Sequence, residues 1–291
     1  MIPGGAIASA FAMGEGFVGS VVLRTATSAY LGDDGGLRLV VHGFDQPPGP
    51  ACLLVEPTLL AQDHFLPAST PITIRDGMLS VGRGGPALGC SPLYLADQAE
   101  WSPPPPPPGT PRPQPRGHQR CADPDPDGFP AHRRALVERV SELVDHLGSA
   151  EGPPGAERAE LGRLLDGVIG FGPGLTPSGD DALVGLLAVG WRLQGWAGPI
   201  VAPDALISGI EARLGQTTVF GRFFLAHGLA GRFGAAVLAA VDCLAWPATP
   251  AARGQALDQL LGLGATSGAD TLVGITAALE QGWGPTCGGW R

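Results

Sequence analysis

Charge is scarce in this sequence, since only 15% of its 291 residues are Asp, Glu, Lys or Arg. With 44% hydrophobic residues beside so few charges, the chain can bury a sizeable core, which excludes global disorder. Basic residues are scarcer than acidic ones, 18 against 27, and the formal net charge is −9. A surface of that sign does not displace the counterions of a nucleic acid, so nonspecific nucleic-acid binding is excluded as a function class. A small anion is not, because a local site can be positive on an acidic protein. The five cysteines (Cys52, Cys90, Cys121, Cys243 and Cys287) are odd in number, scattered and without a CxxC pair. That excludes a disulfide framework or zinc site by spacing and leaves reduced thiols. The N-terminal MIPGGAIASAFAMGEGF lacks a basic n-region, and Glu15 cuts its apolar stretch short, so no secretory signal is expected and the location should be cytoplasmic. The most apolar later run, Ala182 to Trp191, falls short of the roughly 20 residues of a membrane span, and no membrane partner is expected. GxxxxGK[ST], HExxH and GxSxG are all missing, and the six histidines show no ligand spacing, so no metal site is expected. No cofactor is required by the sequence.

What is present divides into three stretches, and the fold class they imply is α+β. Residues 1–102 read as a β-rich barrel or sandwich. GFVGSVVLRT, LRLVVHGF, ACLLVE and PITIRDGMLSVG are short and rich in Val, Ile and Leu, with turn signals at Asp33-Asp34-Gly35-Gly36 and Asp76-Gly77. Residues 103–130 hold 12 of the 30 prolines, six of them consecutive from Pro103 to Pro108. Polyproline donates no backbone hydrogen bonds and favours an extended, solvated helix, so this stretch reads as a linker or surface insertion. From 131 to 291 apolar residues recur near the helical period, beginning with Leu136, Val137, Val140, Leu143 and Val144.

Two segments of the helical part match each other. SGDDALVG at Ser178–Gly185 and SGADTLVG at Ser267–Gly274 agree at six of eight positions, and Gly172, Gly174 and Thr176 precede the first as Gly262, Gly264 and Thr266 precede the second. Each copy reads as a glycine loop feeding a helix N-terminus, with Ser178 and Ser267 as N-caps and Asp181 and Asp270 three residues on, as in a capping box. The helices that follow are apolar almost all round, which predicts two buried, motif-related helices, close-packed at Gly185 and Gly274 with approximate two-fold symmetry. Helix starts carry unpaired N–H groups and a positive dipole end, so a shared site for a small anionic or carbamoyl-type ligand is expected there. Its candidate binding residues are Gly172, Gly174, Thr176, Ser178, Gly179, Thr266, Ser267, Gly268 and Asp270. Asp180 and Asp181 are the candidate catalytic pair. Asp180 stands against Ala269 and has no counterpart, so the fold does not demand it. It could orient an amide, act as a base or hold Mg²⁺. Thr217 and Thr218 could complete an oxyanion cradle or simply cap the next helix.

GFGPGLTPSGDDALVGLL, the Gln216-Thr217-Thr218 segment and LGATSGADTLVG together resemble the signature blocks of the bacterial AllH family. The resemblance spans roughly Leu161 to Leu279. It implies an enzyme or enzyme subunit acting on a small carboxylate or carbamoyl compound: the family serves in oxamate carbamoyltransferase of allantoin degradation, which converts oxalurate and phosphate to oxamate and carbamoyl phosphate. It also implies partner carbamoyltransferase subunits. The alternative is a non-catalytic ligand-binding or assembly subunit.

Overall fold

The computed structural model describes residues 5–7, 17–25, 27–43, 49–55, 60, 66–75, 78–82 and 87–92, then 131–148, 154–193 and 204–281. The chain separates into two compact units, Met1–Ser102 and Pro103–Arg291. The proline-rich stretch lies outside the described residues.

The first unit contains β1 (Gly5–Ile7), β2 (Phe17–Arg24), β3 (Ser28–Asp33), β4 (Gly36–Gly43), β5 (Cys52–Val55), β6 (Pro71–Arg75), β7 (Met78–Val81) and β8 (Ala87–Pro92). They close into a barrel in the order β1-β5-β4-β3-β2-β6-β7-β8, which decides between the barrel and the sandwich. Neighbours are antiparallel except β4 with β5 and β1 with β8. The Asp33–Gly36 turn joins β3 to β4, with Gly36 at φ 112°, where a side chain would be strained. The predicted Asp76-Gly77 turn falls on residues outside those described, although β6 and β7 pair on either side of it. Alternation places Phe17 and Val21 of β2 inside and leaves Val18 and Val22 exposed.

The second unit is helical. Its elements are α1 (Ala131–Gly148), α2 (Pro154–Val168), α3 (Ser178–Leu193), α4 (Asp204–Glu211), a 3₁₀ turn (Leu214–Gln216), α5 (Val219–Leu229), α6 (Ala235–Ala245), α7 (Pro250–Leu261) and α8 (Ser267–Glu280). On α1 the buried stripe is Leu136, Val140, Leu143, Val144 and Leu147, whereas Val137 stands one position off it and is exposed. Helix α3 is the hub. Leu183, Leu186 and Leu187 on it are fully buried, each contributing about 1.5–3 kcal/mol relative to exposure. Among the described residues no helix is long and apolar enough to cross a membrane.

The two motif helices cross at their glycines. A Cβ on Gly185 would lie 2.1 Å from the carbonyl oxygen of Thr271, and one on Gly274 would lie 1.8 Å from that of Ala182. The contact is reciprocal: the eighth residue of each motif meets the fifth of the other. That is what an approximate two-fold axis between α3 and α8 requires, and only glycine permits backbones this close.

Candidate functional site

The glycine loops fill the same role in three dimensions, although with a shift of one glycine from the sequence match. Gly172 at φ 97° and Gly264 at φ 60° occupy the left-handed region, and each lies against the serine that opens the following helix. The next glycine of each copy, Gly179 or Gly268, sits against the last turn of the preceding helix: an added Cβ would be 1.8 Å from the carbonyl oxygen of Val168 or of Leu260. The N–H of Gly179 donates to the carbonyl of Phe171 at 2.9 Å, and that of Gly268 to Leu263 at 3.0 Å. Helix–glycine loop–helix is therefore one local device used twice, as α2–α3 and as α7–α8.

The caps differ from expectation. Ser178 and Ser267 are the first helical residues, not the residues before them. The preceding carbonyls take the N-cap role, as Asp181 N–H donates to Pro177 and Asp270 N–H to Thr266. Thr266 makes no side-chain cap bond. Because the helices start one residue early, the serine hydroxyls and the Asp181 and Asp270 carboxyls are not used up in capping boxes, and Ser267 of the second copy meets Asp181 of the first.

Thr176 is the bridge. Its hydroxyl lies 3.0 Å from Asp181 Oδ2 and 2.9 Å from Ser267 Oγ, so the loop of the first copy reaches the helix start of the second. Asp181 is buried, at 6% exposure, and burial pushes its carboxyl up to about 7. Hydrogen bonds from Ser267 and Thr176 pull the other way, while the negative charges of Asp270 and Asp180 add to the rise. Asp270 is fully buried and pairs with Arg133 of α1 at 3.2 Å through Oδ1. Asp270 Oδ2 and Ser178 Oγ, also fully buried, have no hydrogen-bond partner among the described residues.

Asp180 is employed differently. It is 1% exposed and accepts from the Gly170 N–H at 2.9 Å and from the Thr217 hydroxyl. Burial raises its pKa, against the pull of those two donors. Gly221 makes this possible, since a Cβ there would lie 2.0 Å from Asp180 Oδ2. Thr218 caps α5 by accepting from the Gly221 N–H at 2.9 Å, and its hydroxyl donates to the Leu175 carbonyl at 2.5 Å. Thr217 and Thr218 thus fasten their turn to the first glycine loop, at Asp180 and at Leu175. Gly174 and Leu175 are exposed on that loop, while Thr176, Thr217, Thr218, Thr266 and Ser267 are half-buried.

The structure so brings together Thr176, Asp181 and Ser267 by direct contact, Asp270 by its charge on Asp181, and Gly172 with Ser178 beneath the loop. Both positive helix ends already face carboxylates of their own first turns. Among the described residues no group of three His, Cys, Asp or Glu side chains is placed to hold a metal. Arg222 donates to the Leu214 carbonyl at 3.0 Å and does not approach the cluster's carboxylates through that contact. His227 of α5 accepts from Arg232 at 2.9 Å, and burial lowers its pKa to about 4. Sequence reasoning missed Arg133. The partner of Arg133 lies 137 positions along the chain, and no local signal marks it.

The sequence model of the family described as oxamate carbamoyltransferase subunit AllH matches residues 168–279, from the end of α2 to the end of α8. No solved structure matches the chain.

Proposed function

Through residues 168–279 this is an AllH-like chain, and from that premise we propose that it handles the carbamoyl compound within an oxamate carbamoyltransferase-type complex. The reaction is phosphorolysis of oxalurate. A phosphate oxygen bonds to the ureido carbonyl carbon, the bond from that carbon to the oxamate nitrogen breaks, and that nitrogen must gain a proton as it leaves. Hydrogen phosphate gives up its own proton, so the books balance as oxamate plus carbamoyl phosphate. The protein's task is to carry the proton to the departing nitrogen and hold the ureido group in line.

The observation that supports this reading is Asp181. It is a buried carboxyl held near neutrality, placed by Thr176 and Ser267 where the two motif copies meet. A carboxyl of ordinary acidity holds no proton at neutral pH, whereas one near 7 can both give and regain it. Asp180, Thr217 and Thr218 position the loop over it. The helix starts, compensated by Asp180, Asp181 and Asp270, suit the neutral ureido end of the substrate better than phosphate. Phosphate recognition then falls to other parts of the assembly, in partnership with further subunits, and a cytoplasmic location fits the reaction.

A second reading, a binding or assembly subunit without turnover of its own, draws on the depth of the cluster, with Asp180 at 1% and Asp270 at 0% exposure. One experiment separates them. Carbamoyl phosphate formation from oxalurate and phosphate is measured with the full chain alone, with its partner subunits, and with partners plus Asp181→Asn. Loss of turnover in the reconstituted variant, at wild-type folding, supports the acid role. Full turnover with Asp181→Asn ends it.

A further inference from the structure

The two motif copies are equivalent in backbone but not in bonding. In one half, Asp181 is satisfied by Thr176 and by the Ser267 hydroxyl of the other copy. The two-fold counterparts in the other half are Asp270 and Ser178, and there the pattern is broken. Asp270 spends Oδ1 on Arg133, and its Oδ2 has no partner among the described residues. Ser178 Oγ has none either. Both side chains are fully buried. A buried oxygen without a donor is costly, by more than an ordinary hydrogen bond gains, and native chains keep few of them without a reason.

The position of Ser178 shows where a donor would come from. Its Oγ lies against Gly172, where even a methyl group on the glycine would come within 2.8 Å. From Gly172 the loop runs outward through Pro173, Gly174 and Leu175, all exposed. The hydroxyl therefore sits directly beneath a glycine loop whose outer face meets solvent. Asp270 is close enough for its charge to act on Asp181, so the unsatisfied oxygen of the one and the neutral-range carboxyl of the other belong to one cluster.

We propose that Ser178 Oγ and Asp270 Oδ2 are a receiving pair for N–H groups, and that the ligand they take is a primary amide or ureido group. This rests on the carbamoyl-handling reading above. An amide NH₂ carries two donors, one for each oxygen: Asp270 Oδ2 can only accept, and the Ser178 hydroxyl can accept while its own hydrogen is free for a ligand carbonyl. A carboxylate or phosphate oxygen brings no donor and would face Asp270 with like charge. Arg133 holds the Asp270 carboxylate in place through Oδ1 and is a positioning residue. Discrimination of this kind is strong, because a ligand lacking the N–H leaves the buried acceptors unpaired.

The test uses the full-length chain and titration calorimetry with three probes of graded chemistry: oxamate, N,N-dimethyloxamate and oxalate. Oxamate is expected to bind at least about ten-fold more tightly than either probe without N–H donors. Ser178→Ala removes a hydroxyl that has no partner among the described residues, so its melting temperature should stay level or rise, while oxamate affinity falls by about ten-fold. A merely structural serine would move stability and leave affinity alone. Equal binding of oxamate and oxalate, absence of oxamate binding, or unchanged affinity in Ser178→Ala each overturns the assignment. Failure here with turnover still abolished by Asp181→Asn removes this subsite and leaves the proposed function standing. Turnover surviving Asp181→Asn removes the proposed acid instead, whatever the affinities.

Discussion

Replacing Gly274 by Ala tests the idea that the helical unit is organised around a crossing of two backbones. The new Cβ would lie 1.8 Å from the Ala182 carbonyl oxygen, 2.7 Å from its carbon and 2.9 Å from the Leu186 nitrogen. All three obstacles are backbone, so no side-chain rotation relieves them. Reaching ordinary contact means parting α3 and α8 by about 1.5 Å, which also loosens the fully buried leucines around the crossing. Overpacking of this kind costs about 3 kcal/mol, at the upper end of the usual range. Alanine returns about 1 kcal/mol through its better helix propensity. The net expectation is a loss of about 2 kcal/mol, or about 4–8 °C in melting temperature for a unit of this size. The internal control is Gly254, an exposed interior position of α7 where an added Cβ meets nothing within 4 Å. Gly254→Ala should gain about 0.5–1 kcal/mol from propensity alone. The measurement is thermal and urea unfolding of full-length chains, followed by the helical circular dichroism band, which reports the second unit. If Gly274→Ala matched Gly254→Ala in sign, the reciprocal crossing would be refuted.

Gly185→Ala should behave like Gly274→Ala, and the double variant should cost less than the two losses together, because one opening of the crossing serves both; strict additivity in a double-mutant cycle would contradict this. Asp181 is held at about 7 in the folded state against 3.8 ordinarily, so its contribution to stability is complete below pH 3.8 and is lost as pH rises through about 7. The stability of the wild type relative to Asp181→Asn should therefore decline across that window, and a difference that grows with pH would disprove the assignment. Asp180→Asn, expected from sequence to act through chemistry, should also destabilise the unit by about 1 kcal/mol, because its amide can keep the Gly170 N–H bond through Oδ1 only by turning its N–H₂ to Thr217, whose hydroxyl must then reverse from donor to acceptor and both contacts lose their charge assistance. A melting temperature equal to wild type would show that those two contacts carry no load.

What the sequence made legible was local. The helical period runs through residues 131–291, and the eight described helices fall within that stretch, because such a pattern is set by near neighbours. The duplicated SGxDxLVG motif announced that α3 and α8 would be alike, and matching glycines announced that they would meet. The caps were placed one residue late because Pro177 and Thr266 offer carbonyls that serve as well as a serine hydroxyl. Strands β1, β3 and β8 escape the sequence reading; SAYLGD of β3 is short and ends in turn-like residues, so its pairing with β2 and β4, and not its own composition, makes it a strand. Most of the bonding in the cluster was invisible for a different reason. Thr217 meets Asp180 across 37 positions and Arg133 meets Asp270 across 137, so those contacts exist only once the helices have packed. The asymmetry of the two copies could be read from Asp180 facing Ala269, but not its use. Asp180 accepts from Gly170 and Thr217, and the unsatisfied oxygens lie on Ser178 and Asp270, whose residue types are the same in both copies.

The glycine crossing also sets an order of events on the ribosome. Helix α3 is the hub of its unit, yet the partner for its Gly185 face is α8, made about ninety residues later. At ordinary synthesis speeds the nascent chain waits roughly 5–20 s between the two. During that interval the earlier helices can collapse onto α3, but the groove at Gly185, lined by main chain and flanked by leucines, stays open until the second copy of the motif emerges and closes it. Chaperone binding to a stalled nascent chain should accordingly persist until α8 has cleared the exit tunnel, and the unit should gain protease resistance in one late step.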